Sequence, residues 1–259
     1  MTSAPPRHSL IDLPETALVR FILSEVGTLY EYFNFVVEPA IGPPPREGWD
    51  YIFLAEVKRH WLGLSREGLP GDVDVLIVPT FNNRLRVDLS CASEVKRLAL
   101  RGPNWQKNVD RYGISQAQGL LADGFPFVGI LHIVVSEEGP KEYQRQLEQW
   151  RVVGNRGHAE RIGPVWVDMT GYDAAERQLL RLASRTCSPE VGINSVALMR
   201  KAGADRMWVS TRPTGTRYAK RNLEVSPALL RGIGQLIYEC RDRIKMRPAD
   251  IRELEKVGR

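Results

Sequence analysis

The spacing of apolar residues along the chain changes repeatedly between the period of a helix and that of a strand. Apolar positions three and four residues apart predict two helices near the start, and Leu69-Pro70-Gly71 then turns the chain into strands. Asn82-Asn83 is typical of a hairpin. Up to residue 135 the pattern predicts helices over 15–36 and 49–62, strands over 72–79 and 85–98, a helix from 109 or 115 to 123, and a buried strand over 125–135.

The C-terminal half of the chain continues with the same mixture of elements. Ser226 followed by Pro227 is a typical helix start. The pattern predicts helices over 141–152, 172–184 and 226–244, and strands over 164–169, 191–199 and 206–210. This order predicts an α/β (α+β) fold, in which helices flank a mixed central sheet and the C-terminal part extends that sheet. We expect one compact domain.

The composition is that of an ordinary globular protein, with 259 residues of which 43% are hydrophobic and 26% charged. A net charge of +5 permits a polyanionic partner without requiring one. Three distant cysteines and four histidines without an HxxxH pair disfavour a disulfide framework and a zinc enzyme. Residues 1–8 lack the apolar core of a secretory signal, and no apolar run approaches the roughly 18 residues of a membrane span. We therefore expect a cytoplasmic protein without membrane contact.

Two of the predicted strands carry charged residues that a sheet would bring together. Side chains alternate along a strand, so Glu94 and Lys96 share a face while Val95 points into the core. Asp74 lies near the start of the preceding apolar strand, and the predicted hairpin would set the two strands side by side. Two converging carboxylates suit Mg²⁺, which prefers oxygen ligands, and the Val95 backbone carbonyl would add a third oxygen. Lys96 would orient a metal-activated water and neutralise charge on the reacting phosphate.

A Glu-x-Lys triplet alone is a weak signal, because Glu56-Val57-Lys58 is a second one and a surface ion pair would also explain the first. The wider context resembles the PD-(D/E)XK nuclease superfamily, over residues 49–135. The matching residues are Gly71-Asp72-Val73-Asp74, Glu94-Val95-Lys96 and Gln116. The resemblance implies a restriction-endonuclease-like αβββαβ core and metal-dependent hydrolysis of phosphodiester bonds, usually of DNA. It also implies that Asp74 and Glu94 are metal ligands, that Lys96 is the catalytic lysine, and that Mg²⁺ is the cofactor, with Mn²⁺ as a substitute.

Three positions of this resemblance have alternatives. No proline directly precedes Asp74, and Asp72 competes with it as the metal ligand. Members often carry an acidic residue on the helix before this motif, and Glu56 takes that place in the predicted helix 49–62; an exposed helix charge is the alternative. Many members also carry a glutamine on the helix after the lysine. Gln116 is our choice there and Gln118 its competitor, while a helix-surface amide would explain either one.

Basic residues in two segments are candidates for contacts with nucleic acid. One group follows the predicted catalytic strand and could hold phosphate near the metal. The other lies in a glycine- and proline-containing segment with interleaved Trp208 and Tyr218, which could track a phosphate backbone. A solvated basic surface is the alternative for both. The candidates are Arg97, Arg101, Lys107, Arg111, Arg212, Arg217, Lys220 and Arg221.

Together these features predict a Mg²⁺-dependent nuclease that acts on DNA rather than RNA, with a role in bacterial defence or DNA processing by analogy. Residues 1–48 are expected to form a tail and a helix on the core, 49–135 the nuclease core, and 136–259 an extension of the same domain. A targeting partner and a homodimer are left open. A catalytically silent nucleic-acid-binding protein of the same fold, or an unrelated α/β protein, are the competing hypotheses.

Overall fold

A mixed β-sheet with helices on both faces forms the centre of the protein. The computed structural model describes residues 10–24, 49–65, 71–102, 104–105, 107–108, 112–137, 139, 141–153, 158–185, 188–200, 207–209 and 216–239. Within these ranges the elements in chain order are α1 (Glu15–Ser24), β1 (Trp49–Val57), β2 (Val73–Phe81), β3 (Arg84–Leu85), β4 (Cys91–Leu100), α2 (Ile114–Ala122), β5 (Phe127–Ser136), β6 (Gln144–Val153), β7 (His158–Asp168), α3 (Thr170–Ala183), β8 (Val191–Arg200), β9 (Met207–Val209) and α4 (Pro227–Glu239).

The main sheet has seven strands, in the order β1-β2-β4-β5-β8-β9 with the short β3 paired to β2. Strands β1, β2 and β4 form an antiparallel meander. Strands β4, β5 and β8 then run parallel, and β9 returns antiparallel to β8. Helix α2 provides the crossover from β4 to β5 that parallel strands require. The prediction of a mixed sheet that the C-terminal strands extend is confirmed.

Both faces of the sheet are buried under helices. Helix α1 packs Leu18 and Ile22 on the face that carries Val75 and Val95. Helices α2, α3 and α4 cover the opposite face, where Leu76, Ala92 and Ile130 lie. Residues such as Glu94 and Lys96, which alternate with Val95, therefore point into the interface between the sheet and the second set of helices.

The predicted helix over residues 49–62 is wrong. The structure has strand β1 at residues 49–57, followed by a 3₁₀ turn over Arg59–Leu62. Residues 51–54 are all buried because both faces of β1 are covered. A continuous apolar run of that length fits a strand buried on both faces as well as a helix, so periodicity alone does not separate the two.

The predicted helix over residues 141–152 is also wrong, because Gln144–Val153 form β6. This strand pairs with β7 in a separate two-stranded antiparallel ribbon. Four consecutive described side chains of β6, at residues 145–148, are all exposed, so they show no alternation of buried and exposed positions. A strand without a buried face lacks the period-two signal on which its prediction depends.

The remaining predicted elements agree in type with the structure. Asn82 and Asn83 form the hairpin turn with positive φ values of 46° and 62°. Ser226 Oγ accepts a hydrogen bond from the Leu229 N–H at the start of α4, at 3.3 Å. The predicted ends of two helices, residues 25–36 and 240–244, lie outside the described residues. No helix in the described part of the chain is long and apolar enough to cross a membrane.

Candidate active site

The candidate site lies where strands β2 and β4 stop pairing. Their register runs only from Ile77↔Cys91 to Val75↔Ser93, whereas β4 continues beside β5 as far as Leu100. Beyond Ser93, the backbone N–H groups on the open edge of β4 therefore need acceptors other than a strand. Two carboxylates supply them. These acceptors are expected, because a buried backbone N–H without a hydrogen-bond acceptor destabilises the fold.

Asp74 and Glu15 are the two carboxylates on this edge. Asp74, one residue before the last paired position of β2, accepts a hydrogen bond from the Val95 N–H at 2.8 Å. Glu15, the first residue of α1, accepts one from the Arg97 N–H at 2.7 Å. Since the N–H and C=O of one strand residue point to the same edge, the Val95 carbonyl also lies on the open edge beside Asp74.

Glu94 and Lys96 form an ion pair on the face of β4 that α2 covers. Glu94 is 1% exposed, and its carboxylate accepts a hydrogen bond from the Lys96 ammonium group. Lys96 Nζ also lies 3.8 Å from a Glu15 carboxylate oxygen. A single amine thus links the carboxylate of β4 with the carboxylate at the start of α1.

Gly113, directly before α2, brings the backbone against this ion pair. Its φ is +76°, a conformation that favours glycine. A Cβ atom added there would lie 2.8 Å from Glu94 Cγ and 3.6 Å from Lys96 Cε. The sequence analysis did not single out Gly113, because only the packing of α2 on β4 shows why a side chain does not fit.

The carboxyl groups of Asp74 and Glu94 are close enough to influence each other directly. Burial and then the negative charge of Asp74 raise the pKa of Glu94 to about 7, against the opposing effect of Lys96. Burial also raises the pKa of Asp74, which the Val95 N–H and a hydrogen bond with Glu94 oppose. Two acids held together out of water form a site whose charge is not fully balanced by Lys96.

Lys96 remains protonated in this environment. Burial lowers the pKa of Lys96, but the hydrogen bond and charge of Glu94, with further contributions from Glu15 and Asp74, more than offset that effect and leave the pKa raised. The ammonium group is therefore a permanent cation at neutral pH. It supplies positive charge and hydrogen-bond donors to whatever lies next to the two carboxylates.

His132 is the neighbour of Lys96 across the parallel pairing of β4 with β5. It is fully buried, and burial lowers its pKa to about 4, so the ring is neutral. Its Nε2 atom lies 3.2 Å from the Tyr112 carbonyl. Among the described residues its Nδ1 atom has no hydrogen-bond partner, and neither has the hydroxyl of Ser195, the next residue in register.

The structure corrects the placement of Glu56. This residue lies on β1 instead of a helix, at a φ of 52°, between the pairs Ala55↔Val75 and Val57↔Val73. Its carboxylate forms an ion pair with Arg20. The acidic residue on the helix before the Asp74 strand is Glu15. Sequence reasoning missed it as a site residue, although it recognised the helix that Glu15 begins.

The structure also separates the two pairs of competitors. Asp72 is engaged with Lys58 at 2.6 Å and with the Arg59 N–H at 3.3 Å, whereas Asp74 faces Glu94. Gln118 is exposed on α2, whereas Gln116 is half-buried, one turn after Gly113. The positions of Asp74 and Gln116 fit the sequence preferences, while their chemical roles stay predictions.

Four of the eight basic candidates for nucleic-acid contacts donate hydrogen bonds to backbone carbonyls of the fold. Arg97 and Arg101 donate to the Ile11 carbonyl, and Arg101 pairs with Asp12. Arg217 donates to the carbonyls of β8 and the segment before it. Lys107, Lys220 and Arg221 are exposed, and Arg221 donates to the Asp88 carbonyl at 3.0 Å. Arg111 and Arg212 lie outside the described residues.

The donor set for a metal consists of two carboxylates and one backbone carbonyl. Within the described ranges, no three His, Cys, Asp or Glu side chains group closely enough to hold a metal ion. Glu15 is not close enough to Asp74 and Glu94 to complete such a group. A metal here would depend on Asp74, Glu94, the Val95 carbonyl and water.

Comparison of the sequence with protein-family models finds no matching family, and comparison with curated proteins finds no relative. A function for this chain is therefore inferred from the residues and geometry of the site.

Proposed function

We propose that the protein is a Mg²⁺-dependent nuclease of the PD-(D/E)XK type that hydrolyses phosphodiester bonds of DNA. The observation that carries this proposal is the convergence of Asp74 and Glu94 from neighbouring strands, with Lys96 bonded to Glu94. Residue types that are separated by twenty positions in the sequence meet at one open strand edge. That convergence is the arrangement that the sequence motifs require.

The order of elements around the site supports the same proposal. Among the described elements, helix α1, the meander β1-β2-β4, the crossover helix α2 and the parallel strand β5 follow an αβββαβ order, with the two-residue β3 and two short 3₁₀ turns between them. Asp74 lies on the second long strand and Glu94 and Lys96 on the third. Strands β8 and β9 add to the far side of β5, away from the open edge of β4.

The donor set suits a hard divalent cation. One Asp74 oxygen accepts from the Val95 N–H and one Glu94 oxygen accepts from Lys96, while the two carboxyl groups also share a hydrogen bond that a metal ion would replace. Burial and mutual repulsion disfavour two negative charges here, and a dication would relieve that repulsion. Mg²⁺ usually binds through one or two carboxylates and retains several waters, which fits this small set. We expect Mn²⁺ to substitute.

The chain's own residues would position the substrate and balance charge. Bound Mg²⁺ supplies Lewis acidity to a phosphate oxygen and lowers the pKa of a bound water. Lys96, held by Glu94 and Glu15, donates hydrogen bonds to that water and to the phosphate oxygen on which charge develops. We assign a contact with the same substrate group to Gln116, which is half-buried one turn along α2 from Gly113.

Cleavage assays with a matched pair of variants test the proposal. Plasmid and linear DNA are incubated with Mg²⁺, Mn²⁺ or EDTA and the wild type, Lys96→Ala or Arg84→Ala. Arg84 is an exposed arginine at the hairpin, at the opposite end of β2 from Asp74. We expect metal-dependent cleavage that Lys96→Ala reduces at least about 100-fold and Arg84→Ala leaves unchanged.

Three outcomes would contradict the proposed nuclease or its site. Cleavage that persists in Lys96→Ala would show that this site does not catalyse the reaction. DNA retention without cleavage at any metal concentration would favour a silent binding protein of the same architecture, and neither activity would leave an unrelated α/β protein.

A further inference from the structure

Helix α3 carries three arginines at intervals of four residues. Arg177 and Arg181 lie on the helix, and Arg185 follows its last residue by two positions. Residues four apart lie on one face of a helix, so the three guanidinium groups form a row. Arg177 and Arg181 are half-buried and Arg185 is exposed. We call Arg177, Arg181 and Arg185 the arginine row.

The hydrogen-bond acceptors of the arginine row that the structure describes are all uncharged. Arg177 donates to Asn108 Oδ1 at 3.3 Å and to the Trp105 carbonyl at 3.2 Å. Arg181 Nε donates to the Tyr112 hydroxyl at 2.8 Å, and the Arg185 guanidinium lies 4.3 Å from the centre of the Tyr112 ring. These contacts fix the orientation of the row without neutralising it.

The arginine row has no ion-pair partner among the described residues. Asp173, one turn before Arg177, pairs with Arg145 at 3.8 Å. Burial and then the charge of Arg181 lower the pKa of Arg177, and the charge of Asp173 only partly opposes them. An oriented group of guanidiniums in which like charge outweighs the described counter-charge is suited to bind an anion.

The arginine row adjoins the candidate active site through Tyr112. The hydroxyl and ring of Tyr112 contact Arg181 and Arg185, while its carbonyl lies 3.2 Å from His132 Nε2. The next residue, Gly113, packs against Glu94 and Lys96. The row and the site are therefore joined by two consecutive residues.

We propose that the arginine row binds the phosphate backbone of duplex DNA next to the site of cleavage, an inference that rests on the proposed nuclease function. Successive members are separated by about 6 Å of helix rise, so the row extends about 12 Å. One strand of DNA presents a phosphate for roughly every 3.4 Å of axis, so the row spans three to four phosphates. Guanidinium groups bind phosphate through two parallel hydrogen bonds, and Arg181 and Arg185 keep donors beyond those used on Tyr112.

The test measures DNA binding without cleavage. Anisotropy of a fluorescein-labelled duplex is recorded in EDTA at several salt concentrations, for the wild type, Arg185→Ala, Arg181→Ala/Arg185→Ala and the control Arg84→Ala. Each lost phosphate contact lowers the slope of log K against log salt by about 0.9. We expect the double variant to lose about 1.8 of slope and the exposed Arg185→Ala about 0.9, with Arg84→Ala unchanged.

The variant Tyr112→Phe tests whether the arginine row acts by binding phosphate or only by holding the chain segment before α2 in place. It removes the hydroxyl that orients Arg181 but keeps both charges, so we expect affinity to fall less than in the double variant and the salt slope to stay near that of the wild type. Equal losses of slope in Tyr112→Phe and the double variant would overturn the proposal, as would a wild type that does not bind the duplex or an unchanged slope in Arg185→Ala. EDTA prevents metal-dependent cleavage, so the binding measurement does not depend on nuclease activity. If the arginine row binds DNA but the cleavage assay with metal shows no activity, only the proposed function is overturned.

Discussion

At the scale of single residues, the burial of Glu94 predicts that stability depends on pH. The folded-state pKa of about 7 lies above the ordinary value of 4.5, so the folded protein holds more protons than the unfolded chain between these values. The contribution of this group is therefore fully present below about pH 4.5 and is lost as the pH rises through 7. In metal-free buffer we expect the Tm of the wild type to fall over this window.

Two comparisons assign that fall to Glu94. Glu94→Gln should flatten the pH dependence of Tm, while the same change at exposed Glu224 should not. Added Mg²⁺ should raise the wild-type Tm more at pH 8 than at pH 5, because the ion binds the ionised carboxylates. The idea fails if Glu94→Gln retains the wild-type pH profile.

Gly113 offers a second prediction at this scale, with Gly63 as its matched control. Both have positive φ, +76° and +74°, but an added Cβ meets no described atom within 4 Å at Gly63 and lies 2.8 Å from Glu94 Cγ at Gly113. Each alanine variant should lose about 1 kcal/mol of unfolding free energy through backbone strain, measured in urea. We expect Gly113→Ala alone to reduce cleavage, because its methyl group displaces the Glu94–Lys96 pair. Equal cleavage by both variants would show that the packing of Gly113 does not position the site.

At the scale of elements, helix α1 is expected to contribute to the site through Glu15. Glu15→Gln retains an acceptor for the Arg97 N–H but removes a charge 3.8 Å from Lys96 Nζ. We expect a small change in unfolding free energy and a loss of cleavage of about tenfold, by analogy with the loss of a positioned charge. Glu56→Gln, which removes an acidic residue paired with Arg20, should leave cleavage unchanged. A larger loss of cleavage in Glu56→Gln than in Glu15→Gln would show that Glu56, and not Glu15, contributes to the site.

The elements also show how far sequence reasoning reaches. Strand β4 could be predicted with its charged face, because Glu94 and Lys96 alternate with apolar residues that face the core. Glu15 could not be placed in the site, because its contact with Lys96 depends on how α1 packs across the sheet. The arginine row did have a sequence signal, since 177 and 181 lie in the predicted helix 172–184 and 185 follows it at the same four-residue spacing. The uncharged hydrogen-bond acceptors described for the row appear only in the structure.

At the scale of the whole molecule, the C-terminal part completes the sheet on which the site is built. All ten residues of β5 are buried, and eight of them pair with β8. Helices α3 and α4 cover the same face as α2. Each apolar side chain exposed by their loss costs about 1.5–3 kcal/mol, so a few such side chains exceed the whole stability of a typical domain, about 5–15 kcal/mol.

A chain that ends at residue 137 should therefore fail to unfold cooperatively, as measured by circular dichroism during heating. The control shortens the β6–β7 ribbon, with an Asn-Gly turn joining Arg145 to Val167, which are partners in register. This variant keeps β8, α3 and α4 and should retain a cooperative transition close to that of the wild type, because the ribbon forms a sheet separate from the main one. A cooperative transition in the truncated chain would instead show that residues 1–137 fold without residues 138–259 and support the site by themselves. If the variant with the shortened ribbon folds and the truncated chain does not, the positions of Asp74, Glu94 and Lys96 depend on strands and helices far along the chain.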